Sequence, residues 1–139
     1  MRARAISTIL KEVGGLKKND EKVQALKSMA DNTTLKTIIQ YTYHPGVKWR
    51  LPEGVPPFTP SPYLDQEGNL YSEVRKLYLF VENGGADNLS QFKREMLWIQ
   101  LLEMLIPADA EMLCNMKDGK KFKGISDAVV REAFPELLQ

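Results

Sequence analysis

The sequence has 139 residues, 43% of them hydrophobic, and a formal net charge of +1. This length fits one domain, and this hydrophobic content excludes a chain that is disordered throughout. The near-neutral charge excludes the uniform positive coat of a histone-like protein, and one cysteine, Cys114, leaves no intrachain disulfide. We therefore expect one domain over residues 1–139 of a soluble, cytoplasmic protein, with Cys114 as a buried structural thiol.

The apolar stretches are too short to cross a membrane. The longest, residues 96–106, is interrupted by Gln100 and Glu103, whereas a membrane-spanning helix needs about 20 apolar residues. The opening Met1-Arg2-Ala3-Arg4 also lacks the apolar segment of a signal peptide. We expect no membrane association.

Apolar residues at helical spacing predict three short helices in the first 43 residues. The first spans residues 4–13, buries Ile6, Ile9, Leu10 and Val13, and ends at Gly14-Gly15. Side-chain oxygens predict where the next two helices begin. The expected caps are Asn19 or Asp20 for the second helix, and Thr33 or Thr34 for the third.

Six of the eight prolines lie between residues 45 and 62, and no helix persists through that density. The pattern predicts a long loop over about residues 45–70, with a turn at residues 65–69. Because the loop carries Trp49, Phe58 and Tyr63, we expect it to be ordered and to pack on the body of the domain.

Helical spacing resumes after the loop. It predicts a helix from about Tyr71 capped by Ser72, a long helix over 89–105, a short helix from Pro107 that buries Met112 and Leu113, and a last helix. The expected buried face of the long helix is Phe92, Met96, Ile99, Leu102 and Leu105. The expected caps are Ser90 or Asn88 for the long helix, and Ser126 or Asp127 for the last. The sequence thus predicts an all-α fold of about six or seven short helices.

No residue pattern supplies a complete enzyme site. One histidine and one cysteine, 70 residues apart, match no zinc spacing. His44 stands at a helix end beside Pro45, where capping or phosphate contact fits better than base catalysis. Lys117-Asp118-Gly119 lacks the spacer of the Lys-x-Asp-Gly motif of nucleotidyltransferases and indicates a lysine-rich turn. We expect no enzymatic activity, no metal and no cofactor.

Two segments have the composition of phosphate-binding surfaces. Residues 1–50 hold ten Lys/Arg and four Asp/Glu, a net of +6, and basic residues interleaved with aromatics suit a nucleic-acid backbone. The first basic patch comprises Lys36, His44, Lys48 and Arg50. The second basic patch, a lysine-rich loop over 117–124 that leads into a helix N-terminus, comprises Lys120, Lys121, Lys123 and Ser126. The alternatives are that Tyr41, Tyr43 and Trp49 are core residues and that the lysines form a plain solvated loop.

A resemblance to a known family rests on two parts of the sequence. The first is Leu35-Lys36-Thr37-Ile38-Ile39-Gln40-Tyr41-Thr42-Tyr43-His44-Pro45-Gly46-Val47-Lys48-Trp49, and the second is Gly124-Ile125-Ser126 followed by Phe134-Pro135. Together they resemble the N-terminal DNA-binding domain of phage-type and viral ATP-dependent DNA ligases, over nearly the whole chain. The resemblance implies an all-helical module that grips double-stranded DNA through backbone and minor-groove contacts, with little sequence preference. Because the catalytic domain of a ligase is missing here, ligation is not expected.

Two functions follow as hypotheses. The first is a non-catalytic DNA-binding accessory protein in phage-type replication, repair or transcription, working in the host-cell cytoplasm if it is phage-encoded. The second is a protein–protein adaptor that binds a host or viral enzyme on a ligase-like scaffold. The adaptor would use the loop Pro52–Phe58 and the acidic middle of the chain, where residues 51–106 hold four Lys/Arg and eight Asp/Glu, a net of −4.

Overall fold

A computed structural model describes residues 4–59 and 68–139. In this part of the chain, helices pack around one cluster of buried residues, and an isolated β-bridge is the extent of extended pairing. The expected all-α fold is confirmed. The helices are α1 (Ile6–Gly14), α2 (Asn19–Lys27), α3 (Thr33–Tyr43), α4 (Asn69–Glu73), α5 (Gln91–Glu103), α6 (Pro107–Lys117) and α7 (Asp127–Ala133), with 3₁₀ segments Val74–Phe80 and Pro135–Leu138.

The first three helices form where the apolar spacing predicts them, but two of their caps differ. The α3 cap is Asn32, whose side chain accepts from the Leu35 N–H at 3.0 Å, so the predicted Thr33 or Thr34 cap is wrong. Lys18 directly precedes α2, and its backbone N–H donates to Glu21 Oε1 at 3.1 Å. This carboxylate caps α2 from inside its first turn, so the predicted Asn19 or Asp20 cap is also wrong.

The helix predicted from Tyr71 begins earlier and changes type. It starts at Asn69 after Gly68, so Ser72 lies inside it rather than at its cap, and from Val74 it continues as a 3₁₀ segment. In a 3₁₀ segment, residues three apart lie on the same side. Leu77 and Phe80 have this spacing, and both are buried.

Only part of the face predicted for the long helix is buried: Leu102 and Leu105 are buried as predicted. Phe92 is 78% exposed and Met96 43% exposed, so their predicted burial is wrong. The buried residues of α5 include Arg94, Trp98 and Leu102. The first buried residue of α5 is therefore an arginine. Its guanidinium donates to the Leu79 and Ala86 carbonyls and to the Gln91 side chain.

Ser90 and Ser126 cap α5 and α7, as one of the alternatives predicted for each helix. Ser90 Oγ accepts from the Lys93 N–H at 3.2 Å, and Ser126 Oγ accepts from the Val129 N–H at 3.3 Å. Cys114 is 1% exposed, and burial raises the pKa of its thiol, which confirms the expected buried cysteine.

The proline-rich loop is attached to the body of the domain near its beginning. Trp49 forms a bridge with Val81, in which the Arg50 N–H donates to the Phe80 carbonyl and the Glu82 N–H donates to the Lys48 carbonyl, each at 2.8 Å. The Trp49 ring also lies 5.6 Å from Tyr41 and 6.1 Å from Trp98, centroid to centroid. Tyr63 and most of the turn expected at 65–69 lie outside the described residues.

A buried lysine clamps the next part of this loop. The side chain of Lys117, at the end of α6, is 1% exposed. Its ammonium donates to the Pro52 and Gly54 carbonyls at 2.8 and 2.9 Å and to Asp118 Oδ1 at 2.5 Å. The predicted loop over residues 117–124 is therefore wrong at Lys117, which ends α6 and is buried. Burial alone would raise the pKa of Asp118, but hydrogen bonds from Lys117 and the Gly54 N–H lower it overall.

Across residues 4–59 and 68–139, no helix combines the length and apolar character that crossing a membrane requires. The same residues hold no group of three metal-binding side chains placed to share an ion.

Candidate nucleic-acid interface

The loop between α6 and α7, residues 118–126, carries the second basic patch and is anchored by Tyr43. The Tyr43 hydroxyl donates to the Ile125 carbonyl at 2.6 Å and accepts from the Phe122 N–H at 3.2 Å. Burial raises the pKa of Tyr43 to about 12, so the hydroxyl keeps the proton that it donates. The Tyr43 ring also packs against Phe122, with centroids 5.9 Å apart.

The same loop crosses the end of α1 backbone to backbone. A Cβ added at Gly14 would meet the Lys123 carbonyl, and one added at Gly124 would meet the Gly14 carbonyl. Gly124 also has φ of +80°, which disfavours any residue with a side chain. Two glycines are therefore what allows the lysine loop to lie directly on α1.

This crossing brings lysines from the two ends of the sequence together. Lys22 in α2 donates from Nζ to the Gly124 carbonyl at 2.6 Å. Because Gly14 and Lys22 both touch the loop, the exposed Lys17 and Lys18 between them belong to the same end of the molecule. We call this surface the basic end, and it comprises Lys17, Lys18, Lys22, Lys120, Lys121 and Lys123.

Carboxylates offset part of the charge of the basic end. Lys121 Nζ is 2.7 Å from both carboxylate oxygens of Asp127, and it also lies 5.5 Å from the Tyr43 ring centroid. Asp20 and Glu21 stand in the first turn of α2, next to Lys22. Asp118, in the same loop, is bound by Lys117 and also attracts Lys120. Six ammonium groups thus face Asp127, Asp20, Glu21 and the already paired Asp118, so the basic end keeps a net positive charge.

The first basic patch is more strongly neutralised. Lys36 Nζ lies 3.4 Å from Glu136 Oε1 and 5.3 Å from the Phe134 ring centroid. Arg50 Nη1 donates to the Asp87 carbonyl at 3.1 Å and lies 3.5 Å from the carboxylate of the same residue. Both cations would have to exchange a carboxylate for a phosphate in order to bind DNA.

His44 and Lys48 differ in how much of their side chain is free. His44 Nδ1 accepts from the Gly46 N–H at 2.9 Å, which makes Nε2 the donor to the Gln139 carbonyl, also at 2.9 Å. Both ring nitrogens therefore have partners, in the capping arrangement that the sequence allowed. Lys48 is exposed, and its ammonium has no partner among residues 4–59 and 68–139.

The structure joins part of the predicted site and separates the rest. His44 directly follows Tyr43, whose hydroxyl binds the loop of the second basic patch, so His44 lies near that loop. Arg50 belongs to another cluster, because its side chain contacts Asp87 and its carbonyl accepts from Gln91 Nε2 at 2.8 Å. Ser126 Oγ is engaged as the α7 cap. Lys120 and Lys123 are exposed and have no ion-pair partner in the described part of the chain.

Sequence reasoning missed Lys17, Lys18 and Lys22 as members of the site. They lie about 100 residues from the lysine loop in sequence, and no local pattern reports such a contact. A weak signal was present, because Lys123 directly precedes Gly124, and Lys17 follows Gly14-Gly15 after one residue. Glycines often mark a close approach of two backbones.

Fold and site together define a small all-α protein with a lysine-rich end. The chain belongs to a family of unknown function, DUF6433, which matches residues 9–123. The match includes the whole first basic patch and the three lysines of the second, and it ends before Ser126. No curated protein matches the chain. The family carries no functional description, so the resemblance to ligase DNA-binding domains stays a prediction.

Replacing Tyr43 by phenylalanine should loosen the lysine loop. The substitution Tyr43→Phe keeps the ring but removes a hydroxyl that serves both Phe122 and Ile125, and we expect a loss of about 1–2 kcal/mol in the free energy of unfolding. Urea unfolding measures this loss, and hydrogen exchange at the Phe122 amide should become faster. Tyr41→Phe is the matched control, because the Tyr41 hydroxyl has no hydrogen bond among the described residues. Equal effects of the two substitutions would contradict the anchoring role.

Proposed function

We propose that the protein is a non-catalytic accessory protein that binds the backbone of double-stranded DNA in phage-type replication, repair or transcription. The observation that carries this proposal is the basic end, where six lysines from the α1–α2 connection and the 118–126 loop meet. The resemblance to ligase DNA-binding domains supports the same ligand through α3 and Gly124-Ile125-Ser126, whereas the lysines at 117–123 depart from the pattern of that family.

The lysines of the basic end suit phosphate better than base recognition. Lys17, Lys18 and Lys123 are exposed and have no carboxylate partner in the part of the chain that the structure describes. Lys120 is also exposed, and the carboxylate that attracts it, Asp118, is already bound by Lys117. A lysine ammonium is a point charge on a flexible stem, so it binds phosphate without the fixed geometry that reads a base edge. We therefore expect binding with little dependence on DNA sequence.

Phosphate binding has a measurable salt signature, because each neutralised phosphate releases condensed counterions. Four contacts predict that log K falls with log salt with a slope of about −3.6, so affinity should drop about 150-fold between about 50 and about 200 mM salt. Fluorescence anisotropy of a short labelled duplex measures this dependence directly.

Charge reversal in the loop locates the site. The double variant Lys120→Glu/Lys123→Glu should weaken binding at least about tenfold and reduce the salt slope by about 2. Arg75→Glu is the control, because it changes charge at an exposed position of the 74–80 segment, away from the basic end. No binding at low salt, or equal loss in the control, would reject the proposal.

A second candidate is the adaptor function, which one cavity favours. The clamped loop and α5 enclose about 220 Å³ lined by residues that include Val55, Pro56, Glu95, Trp98 and Ile99. Trp98 is 2% exposed, and its indole N–H has no acceptor among the described residues. A side chain of a partner protein that brings an acceptor would satisfy this donor. Absence of DNA binding at low salt would make this the preferred function.

A further inference from the structure

An exposed apolar stripe runs along α5. Phe92 is 78% exposed, Met96 43% and Met104, which caps the helix, 48%. With Gln100, these residues recur every four positions and lie on one side of the helix, away from the buried Trp98 and Leu102. Neighbouring large apolar side chains left in water are typical of an interaction surface.

A groove lies beside this stripe, between α5 and the 74–80 segment. Its volume is about 620 Å³, and its apolar lining includes Tyr78, Leu79, Leu97 and Met104. Tyr78 is itself 45% exposed. A groove of this size can receive an aromatic side chain, and Phe92 is the most exposed large apolar side chain among the described residues.

A second copy of the same helix fits this surface in an antiparallel orientation. If the two-fold axis crosses the exposed stripe at the level of residue 98 along the helix, Phe92 of one copy lies opposite the partner's Met104 and its groove. Met96 then lies opposite the partner's Gln100. A two-fold interface is self-complementary, so every such contact occurs twice.

The charges on α5 agree with the same register. Lys93 lies opposite the partner's Glu103 in this arrangement. Lys93 is exposed and has no carboxylate partner among the described residues. Glu103 Oε2 accepts from the Thr59 N–H at 2.9 Å, and Oε1 has no partner among residues 4–59 and 68–139. Complementary charges fix the register and the orientation of an interface.

We propose that the protein forms a two-fold symmetric homodimer through antiparallel contact of α5, with Phe92 of each copy seated in the groove of the other. The interface is separate from the basic end, which is built from α2, the α1–α2 connection and the 118–126 loop. Substitutions on α5 should therefore abolish dimerisation without affecting DNA binding, and substitutions at the basic end should do the reverse.

Sedimentation equilibrium between about 1 and about 100 micromolar chain tests the dimer. We expect a mass approaching twice the 15.8 kDa of one chain. Phe92→Ser should raise the dissociation constant about a hundredfold, because it removes the residue that fills the groove. Lys27→Glu, an exposed charge reversal on α2, should leave the constant unchanged. A wild-type monomer at about 100 micromolar, or a dimer insensitive to Phe92→Ser, would overturn the proposal.

A charge swap tests the register and the identity of the occupant. Lys93→Glu and Glu103→Lys should each weaken the homodimer about tenfold, because each places like charges opposite one another twice. An equimolar mixture of the two variants restores both attractive pairs and should recover wild-type affinity to within about threefold. Circular dichroism checks that each variant is folded. A mixture that associates no better than its components would reject this interface.

Discussion

Gly124→Ala should lower the free energy of unfolding by about 3 kcal/mol. Part of this loss comes from φ of +80° at Gly124, which costs a residue with a Cβ about 1–2 kcal/mol. The remainder comes from the added Cβ, which would meet the Gly14 carbonyl, so that the loop or α1 has to move. Because the contact is backbone against backbone, no side-chain rotation can relieve it.

Gly119→Ala is a matched control for this prediction. Gly119 also has φ of +80°, but a Cβ there would meet nothing within 4 Å among the described residues. Gly119→Ala should therefore lower the free energy of unfolding only by the cost of placing a Cβ at positive φ, about 1–2 kcal/mol. Urea unfolding gives the loss in free energy of unfolding for each variant. The excess loss in Gly124→Ala measures the close backbone contact between the loop and α1. Equal losses would show that α1 and the loop are not in close contact.

Arg94→Ala should be about as damaging, with an expected loss of about 3–5 kcal/mol. Arg94 is 1% exposed, and its Nε and Nη2 donate to the Leu79 and Ala86 carbonyls at 3.0 and 2.9 Å. Its Nη1 donates to Gln91 Oε1 at 3.0 Å. Truncation leaves these acceptors without a donor and opens a void beneath α5.

The geometry of Arg94 also makes lysine a poor substitute. A guanidinium donates in three directions from a rigid plane, whereas an ammonium is a single point of charge on a flexible stem. Arg94→Lys should therefore recover less than half of the loss in urea unfolding. Arg75→Ala, at an exposed arginine with no ion-pair partner among the described residues, should change stability by less than about 0.5 kcal/mol. A loss below about 1 kcal/mol for Arg94→Ala would contradict the role assigned to it.

The sequence predicted helix positions well where the apolar residues lie on one side. The face of α1 was predicted correctly because its apolar residues form a single stripe. Helix α5 has apolar residues on two sides, and the predicted face combined them: Leu102 is buried as predicted, but Phe92 and Met96 are exposed. The buried side includes Arg94, and periodicity cannot identify an arginine as inward when its acceptors lie 8 to 15 residues away in the chain.

The candidate site was only partly predictable for a related reason. Exposed lysines in the 118–126 loop can be read from the sequence, because the charge there is local. The partners of Lys36 and Arg50 are carboxylates in distant parts of the chain, so their neutralisation depends on tertiary contacts. Lys117 shows the same limit, because its sequence neighbours indicate a solvated turn while its acceptors lie more than 60 residues earlier.

The Tyr43 anchor has a consequence for the order of folding. Its hydroxyl binds residues 79 and 82 positions further along the chain, so this contact closes a large loop and carries a large entropic cost before it forms. Helix α3 therefore has to wait for the last quarter of the chain before the tyrosine finds its partners. During synthesis, the apolar face of the first three helices would stay uncovered until Ile125 emerges, and that interval is when the growing chain is most exposed to aggregation.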